Sequence, residues 1–215
     1  MTDEHRKPGH VRQVYDTIAE HFSQTRRNPW PEVQAFLEGV DPVALGLDVG
    51  CGNGRHTERL AAHCERAIGL DLSRELLGLA AERRGRDTTA LVQGHAARLP
   101  LGDDAVDLGL YVATLHHLPD RETRIASLSE LARVLASDGR ALVSAWSTTH
   151  DRFTRGSETD GFDTTVDWTL PGGRTVPRYY HIYAPAEFER DIRDSDLTLT
   201  DRYVSSGNCY AEVRA

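Results

Sequence analysis

Apolar positions along this chain fall into two alternating periods, and the alternation itself predicts the architecture. From residue 10 to 24, Val11, Val14/Tyr15, Ile18 and Phe22 recur at helical spacing. Asn28-Pro29-Trp30-Pro31 must break that helix, because neither proline has an amide to donate and each restricts its predecessor. A second short helix over 31–39 closes at Gly39. Short apolar runs then alternate with amphipathic stretches. Strands are expected at 45–49, 66–71, 89–94, 105–113 and 139–147, and helices at 54–63, 73–84 and 121–136. Ser73 is placed as an N-cap, and Asp138-Gly139 as the stop of the helix before the fifth strand. Strand–helix alternation implies a mostly parallel α/β sheet covered on both faces.

The rhythm breaks over residues 148–178, which are rich in Gly, Pro, Thr and Asp. They read as an insertion over the carboxyl edge of the sheet, where a substrate would sit. The tail resumes with a strand at Tyr179–Tyr183, a helix at 185–194, and two strands flanking the turn signal Ser205-Ser206-Gly207-Asn208. That last pair is expected to be antiparallel. The organisation is thus one domain over 1–215, divided into four parts. These are a helical lid (1–43), a core (44–147), an insertion (148–178) and a sheet completion (179–215).

Composition narrows the class. A chain of 215 residues is long enough to bury a full core without disulfides or metals. Its three cysteines, Cys51, Cys64 and Cys209, are too few and too scattered for a disulfide framework or a zinc cluster. No apolar run approaches a membrane span. The polar start MTDEHRKPGH is unlike a signal peptide, so a cytoplasmic location is expected. The net charge is −8 and Lys7 is the only lysine, a balance that suits a salt-adapted or high-GC source. Such a charge opposes nonspecific nucleic-acid binding but leaves room for a local arginine patch.

The chemistry concentrates in Leu47–Thr57, reading LDVGCGNGRHT, where a buried strand turns into a helix. Gly50, Gly52 and Gly54 allow close approach of backbone to a ligand. Asp71 stands at the tip of the next strand, at the spacing that meets ribose hydroxyls. No lysine follows to reach a phosphate, and Asp48 beside the loop suits a ligand with a positive group. This combination resembles the first motif of class I S-adenosylmethionine-dependent methyltransferases. The resemblance implies a Rossmann-like, seven-stranded sheet with an antiparallel last strand, and S-adenosyl-L-methionine as cofactor. By that resemblance, Leu72 joins Asp71 beside the cofactor, His95 and Ala96 read the adenine, and Tyr111 is a further cofactor-binding residue. His95 stands where the family often has Asp. The fourth strand ends in His116-His117, of which one is expected to face the site while the other packs under the helix 121–136. His116 is read as orienting the substrate, with a structural histidine as the alternative.

A narrower resemblance covers most of the chain. The segment Val11–Phe36 with its TRRNPWP block, the His116-His117 pair, the RYYH block Arg178–His181 and the terminal Gly207-Asn208 are similar to tRNA wobble-uridine carboxymethyl methyltransferases. Cys209 departs from the aromatic that usually follows that Gly-Asn. The resemblance implies methyl esterification of 5-carboxymethyluridine in tRNA. Such a reaction requires no general base, because the carboxylate is already ionised near pH 7. It implies catalytic roles for Arg26 and His116, with Tyr15 over the cofactor. Trp30, Arg178, Tyr179, Tyr180 and His181 are then substrate-binding residues, with aromatic packing as the alternative for the last block. It also implies a small zinc-binding activator subunit on the edge strand Thr89–Gln93. The core pattern alone equally suits a quinone or metabolite methyltransferase. A non-enzymatic cofactor-binding scaffold is disfavoured by the intact loop and Asp71.

Overall fold

A computed structural model describes residues 8–83, 88–153 and 160–215. The opening residues, Arg84 at the end of the expected helix 73–84, and 154–159 of the expected insertion lie outside the described residues. Helix α1 (Pro8–Thr25) buries Val14, Ile18 and Ala19, the stripe set by its four-residue apolar spacing. Pro31 opens α2 (Pro31–Glu38), where its missing amide costs nothing. Strand β1 (Val43–Val49), α3 (Arg55–Leu60), β2 (Cys64–Asp71), α4 (Arg74–Arg83), β3 (Thr89–Gln93) and β4 (Val106–Val112) follow. Helix α5 (Arg121–Val134) leads to β5 (Leu135–Trp146). The chain ends with β6 (Phe162–Thr169), β7 (Thr175–Ile182), α6 (Pro185–Arg193), β8 (Thr198–Ser205) and β9 (Asn208–Arg214).

Seven strands form one sheet in the order β3-β2-β1-β4-β5-β9-β8. The first five are parallel, and β9 runs antiparallel to both neighbours. Both faces are covered, as the alternation predicts. Leu108, Leu110 and Val112 of β4 pack with Val33, Phe36, Leu37 and Leu60 of α2 and α3. On the opposite face Tyr111 packs among Leu128 and Leu131 of α5 and Phe188 and Ile192 of α6. Strand order reverses between β1 and β4, so their carboxyl ends open a crevice at the switch point.

Ser73 is the N-cap expected of it: its hydroxyl accepts from Leu76 N at 3.2 Å and donates to Asp16 at 2.6 Å, tying α1 to α4. The β8–β9 pair is antiparallel, closed by a two-residue turn in which Ser206 (φ 50°) and Gly207 (φ 73°) are both left-handed. Two expectations need correction. Asp138-Gly139 does not end the helix; α5 stops at Val134, and the dipeptide lies inside β5 where the register slips between Val106↔Leu135 and Leu108↔Arg140. A strand bulge and a helix stop use the same turn-forming residues. The segment Tyr179–Tyr183 does not complete the main sheet. Its residues through Ile182 belong to β7, which starts at Thr175 and pairs only with β6 in a two-stranded hairpin. Strand β9 already occupies the free edge of β5, so no ladder is left for β7.

The β6–β7 hairpin is fastened at three points. Trp168 donates to His21 of α1, Tyr179 donates to the Pro119 carbonyl, and His181 lies between Asp163 (2.8 Å) and Glu187 of α6 (3.0 Å). The three cysteines are buried and free. Among the described residues, no cluster of side chains suits a metal, and no helix is long and apolar enough to cross a membrane.

Asp48 closes β1 from within. Its carboxylate is buried and accepts from the Thr57 hydroxyl at 2.6 Å. Burial pushes its pKa from 3.8 up to about 7, with Thr57 opposing and Asp71 adding repulsion. A carboxyl raised in this way keeps its proton in the native state where the unfolded chain has already lost it. Folding therefore weakens as pH rises from about 4 to about 7. Asp48→Asn should gain stability relative to wild type across that window, by up to about 4 kcal/mol. Denaturant titrations at pH 4.5 and pH 8 measure it; a difference that does not grow with pH refutes the assignment.

Candidate active site

The crevice holds a cavity of about 830 Å3 that reaches from the glycine loop to the β8–β9 turn. Its floor is the loop after β1. Gly50 must be glycine: at φ 74° a Cβ would stand 2.0 Å from Thr114 Oγ1, the residue just past β4. The two strand tips thus touch. The loop's amides are spent within the protein. Gly50 N and Cys51 N donate to the Leu70 carbonyl at 2.7 and 2.9 Å, Gly52 N to Asp71 at 2.8 Å, and Gly54 N to the Cys51 carbonyl. A phosphate cradle needs free amides. Four amides of this loop are thus withdrawn from any phosphate.

Asp71 lines the cavity and bridges Gly52 N and Ser73 N, one per oxygen. Burial raises its pKa to about 6 against those amide bonds. A carboxylate has about four acceptor sites, so two remain for hydroxyls of a ligand. Leu72, His95 and Ala96 line the same end. His95 Nδ1 accepts from Ala97 N at 3.1 Å, and burial depresses its pKa. The neutral ring therefore carries its proton on Nε2 and is a donor there. It cannot take over the acceptor role of an Asp at this position.

At the other end stand Tyr15, His116, His117, Arg178 and Tyr180. Their hydrogen bonds define the tautomers. His116 Nδ1 accepts from Trp146 N at 2.9 Å, so its Nε2 bears the proton. His117 is the reverse: Nδ1–H donates to the Tyr179 carbonyl at 2.9 Å, and Nε2 accepts from the Tyr15 hydroxyl at 2.8 Å. Burial, then the neighbouring His117 and Arg178, hold His116 far below the usual imidazole range; burial takes His117 to about 3. Both histidines are neutral. Both line the cavity, which corrects the expectation that one packs under α5. The Arg178 guanidinium stacks on Trp168 at 4.7 Å and on Tyr180 at 5.1 Å.

Arg26 stands at the rim, 5.4 Å over the Trp168 ring, and its carbonyl accepts from Asn53. Trp30 lines the cavity with its ring between Arg55 and Tyr210, its amide donating to His56. Arg12, Arg27 and Arg55 also face this space, against only Glu32 and Asp71 among acids.

Five expected site residues do not line the cavity. Asp48 is turned under the loop toward Thr57. Gly54 caps α3 in a left-handed conformation, where an added Cβ would stand 3.0 Å from Ala80 Cβ. Tyr111 is fully buried; it donates to Ser127, which donates to the Ala96 carbonyl, so it supports the site from behind. Tyr179 and His181 face away from the cavity on β7 and serve the hairpin's anchorage. The alternation of a strand separates them, since Arg178 and Tyr180 share one face of β7 while Tyr179 and His181 share the other. Sequence reading passed over Asn53, Trp146, His150 and Tyr210 and gave Asn208 no site role, yet all five line the cavity. Trp146 ends β5, and that carboxyl-end position was the available signal.

The family model described as "Methyltransferase domain" matches residues 47–143. The chain is 39% identical over 137 residues to a tRNA (carboxymethyluridine(34)-5-O)-methyltransferase of Xenopus tropicalis, covering 64% of this chain but only 21% of that protein. It thus spans about a fifth of that relative's length. It is 30% identical over 212 residues to the Schizosaccharomyces pombe protein of the same name, covering 89% of this chain and 90% of that protein. In fold it is similar to a complex between the Haloferax volcanii Trm112 methyltransferase activator and a putative methyltransferase. The TM-score is 0.72 at 18% identity, with 95% of this chain and 97% of that one covered. The sheet order, the glycine loop and near full-length similarity to the fission-yeast protein agree, and the chain belongs to the tRNA carboxymethyluridine methyltransferase family.

Proposed function

We propose that this chain uses S-adenosylmethionine to methylate the carboxylate of 5-carboxymethyluridine at the tRNA wobble position, forming the methyl ester. The observation that carries the reading is the protonation pattern at the transfer end of the cavity. His116 offers an N–H, His117 is satisfied on both nitrogens, and Arg178 is cationic. These are hydrogen-bond donors, not bases. A carboxylate nucleophile is ionised at neutral pH and requires alignment rather than deprotonation. The names of the relatives support this substrate.

The residues present fit the cofactor. Asp71 has acceptor capacity for ribose hydroxyls, and Leu72, His95 and Ala96 form the adenine end. Tyr15 and the glycine loop would hold the methionine portion. When bound, S-adenosylmethionine supplies a methyl group on a sulfonium centre. The chain's own work is then positional. His116 Nε2–H and Arg178 hold the substrate carboxylate by partial hydrogen bonding, which leaves a lone pair free to react. Tyr180 and Trp30 flank the nucleoside, and Arg12, Arg26 and Arg27 at the rim meet RNA phosphates. The hairpin and α1, joined through Trp168 and His21, exclude water.

The partner is a small zinc-binding activator docked on β3. That strand pairs only with β2 among the described strands and leaves Leu91 and Val92 half-exposed at the sheet's edge. The fold neighbour solved with an activator supports a partner of this kind.

Incubation with carboxymethyluridine-containing tRNA and the activator, read by nucleoside mass spectrometry, should yield the methyl ester. No ester with the activator present overturns the reading. Arg178→Ala should lower kcat/KM about 100-fold, since misalignment alone costs that much. At saturating substrates, kcat should show no imidazole limb between pH 6 and 9, because neither His116 nor His117 titrates there. A limb near pH 6.5 would assign a base instead. Affinity for S-adenosylhomocysteine, measured by calorimetry, should fall as pH drops through about 6, where Asp71 takes a proton. Asp71→Asn should bind weakly and lose that dependence.

A further inference from the structure

The cavity also runs along the carboxyl ends of β4 and β5 to the β8–β9 turn. Trp30, Trp146, Tyr180 and Tyr210 give it aromatic walls. The half-buried side chain of Asn208 gives it a polar edge. Neither the glycine loop nor the carboxylate donors account for this residue.

Its surroundings hold it still. Asn208 Nδ2 donates to the Ser206 carbonyl at 3.1 Å. The turn that carries it is pinned from three directions. Glu32 of α2 accepts from the Ser205 hydroxyl at 2.6 Å and the Ser206 hydroxyl at 3.2 Å, and Ser147 N donates to the Gly207 carbonyl at 2.9 Å. His150 packs so closely on Gly207 that a Cβ there would stand 2.3 Å from its ring. Burial alone would raise Glu32, but the hydroxyl and amide donors outweigh it and hold the carboxyl ionised. A site that discriminates needs such a preorganised support.

We infer that Asn208 sets the base specificity of the reaction by reading the hydrogen-bonding edge of the pyrimidine. This rests on the reading of the substrate as a carboxymethylated uridine. With one amide hydrogen on the Ser206 carbonyl, the side chain keeps one N–H donor and one carbonyl acceptor for a ligand. Uracil presents their complement, an N3–H donor beside a carbonyl acceptor. Cytosine presents the reverse, an N3 acceptor beside an amino donor. Turning the amide over to suit cytosine would break the bond to Ser206 and set Nδ2 and Oδ1 against the wrong partners. The aromatic walls stack either base equally, so they contribute affinity without choice.

The test uses the full chain with its activator and two anticodon stem-loop RNAs of one sequence, carrying 5-carboxymethyluridine or 5-carboxymethylcytidine at the wobble position. Wild type should prefer the uridine substrate by at least ~30-fold in kcat/KM, within the range of a good base-edge contact. Asn208→Ala and Asn208→Asp should each reduce that ratio about 10-fold or more, with S-adenosylhomocysteine affinity and melting temperature unchanged. Asn208→Ser, which keeps a turn-compatible polar residue, serves if either variant fails to fold. Wild-type discrimination that survives in the folded variants overturns the inference. Failure of wild type on the uridine substrate strikes the proposed function instead, and the two failures are distinct.

Discussion

The carboxylate of Asp71 holds two strand tips in one arrangement, and the rest of the site depends on it. One oxygen takes the Gly52 amide from the loop after β1; the other takes the Ser73 amide that starts α4. Ser73 in turn caps α4 and bonds Asp16, so the same junction carries the lid helix α1. Buried carboxylates are costly, and its pKa of about 6 records the strain of keeping a charge here. The return is a loop whose Gly50, Cys51, Gly52 and Gly54 amides are committed internally. A loop with free amides would attract phosphate. This one withdraws those amides and sets them beside a buried anion, an environment matched to a ribose-bearing ligand.

Electrostatics at the far end follow the opposite logic. Two adjacent histidines would ordinarily titrate near physiological pH. Here each is committed by a backbone group, Trp146 N on His116 and the Tyr179 carbonyl on His117, and the two commitments are of opposite sense. The pair therefore holds a fixed donor on one ring and a fixed acceptor on the other. Tyr15 occupies that acceptor, so neither ring is left as a base. A base at this position would serve a hydroxyl or amine nucleophile; a neutral donor serves one that is already ionised. The choice of chemistry lies in the backbone partners, not in the histidines themselves.

Much of this was legible in the chain. Strand–helix alternation predicts the five parallel strands, because strands buried on both faces must be continuous apolar runs. The spacing of Gly50, Gly52, Gly54 and Asp71 marks the switch point for the same reason. What escaped was orientation. Asp48 reads as a counter-charge for a ligand, yet its side chain turns inward to Thr57. Tyr179 and His181 sit in the same RYYH block as Arg178 and Tyr180, but their side chains are drawn to Pro119, Asp163 and Glu187. Those partners lie up to 60 positions away along the chain, and no local pattern encodes them. Asp138-Gly139 shows the same limit at the level of elements, since one turn signal serves both a helix stop and a bulge.

The distribution of charge completes the argument. The chain carries 33 acidic against 25 basic residues, so a uniform surface would repel an anionic partner. The cavity departs from that average: five arginines line it against two acids, and both acids are already engaged, Asp71 by amides and Glu32 by serines. Arg27 is further held at the rim by its bond to the Gln24 carbonyl, while Arg178 is stacked deep on Trp168. Negative charge elsewhere then acts as a filter. An anionic polymer is attracted only where this ring of guanidinium groups outweighs the rest of the molecule, and that place is the mouth of the site. Because long-range repulsion is screened by salt while stacked and hydrogen-bonded guanidinium contacts are screened less, this arrangement preserves the local attraction better than a diffuse basic surface would.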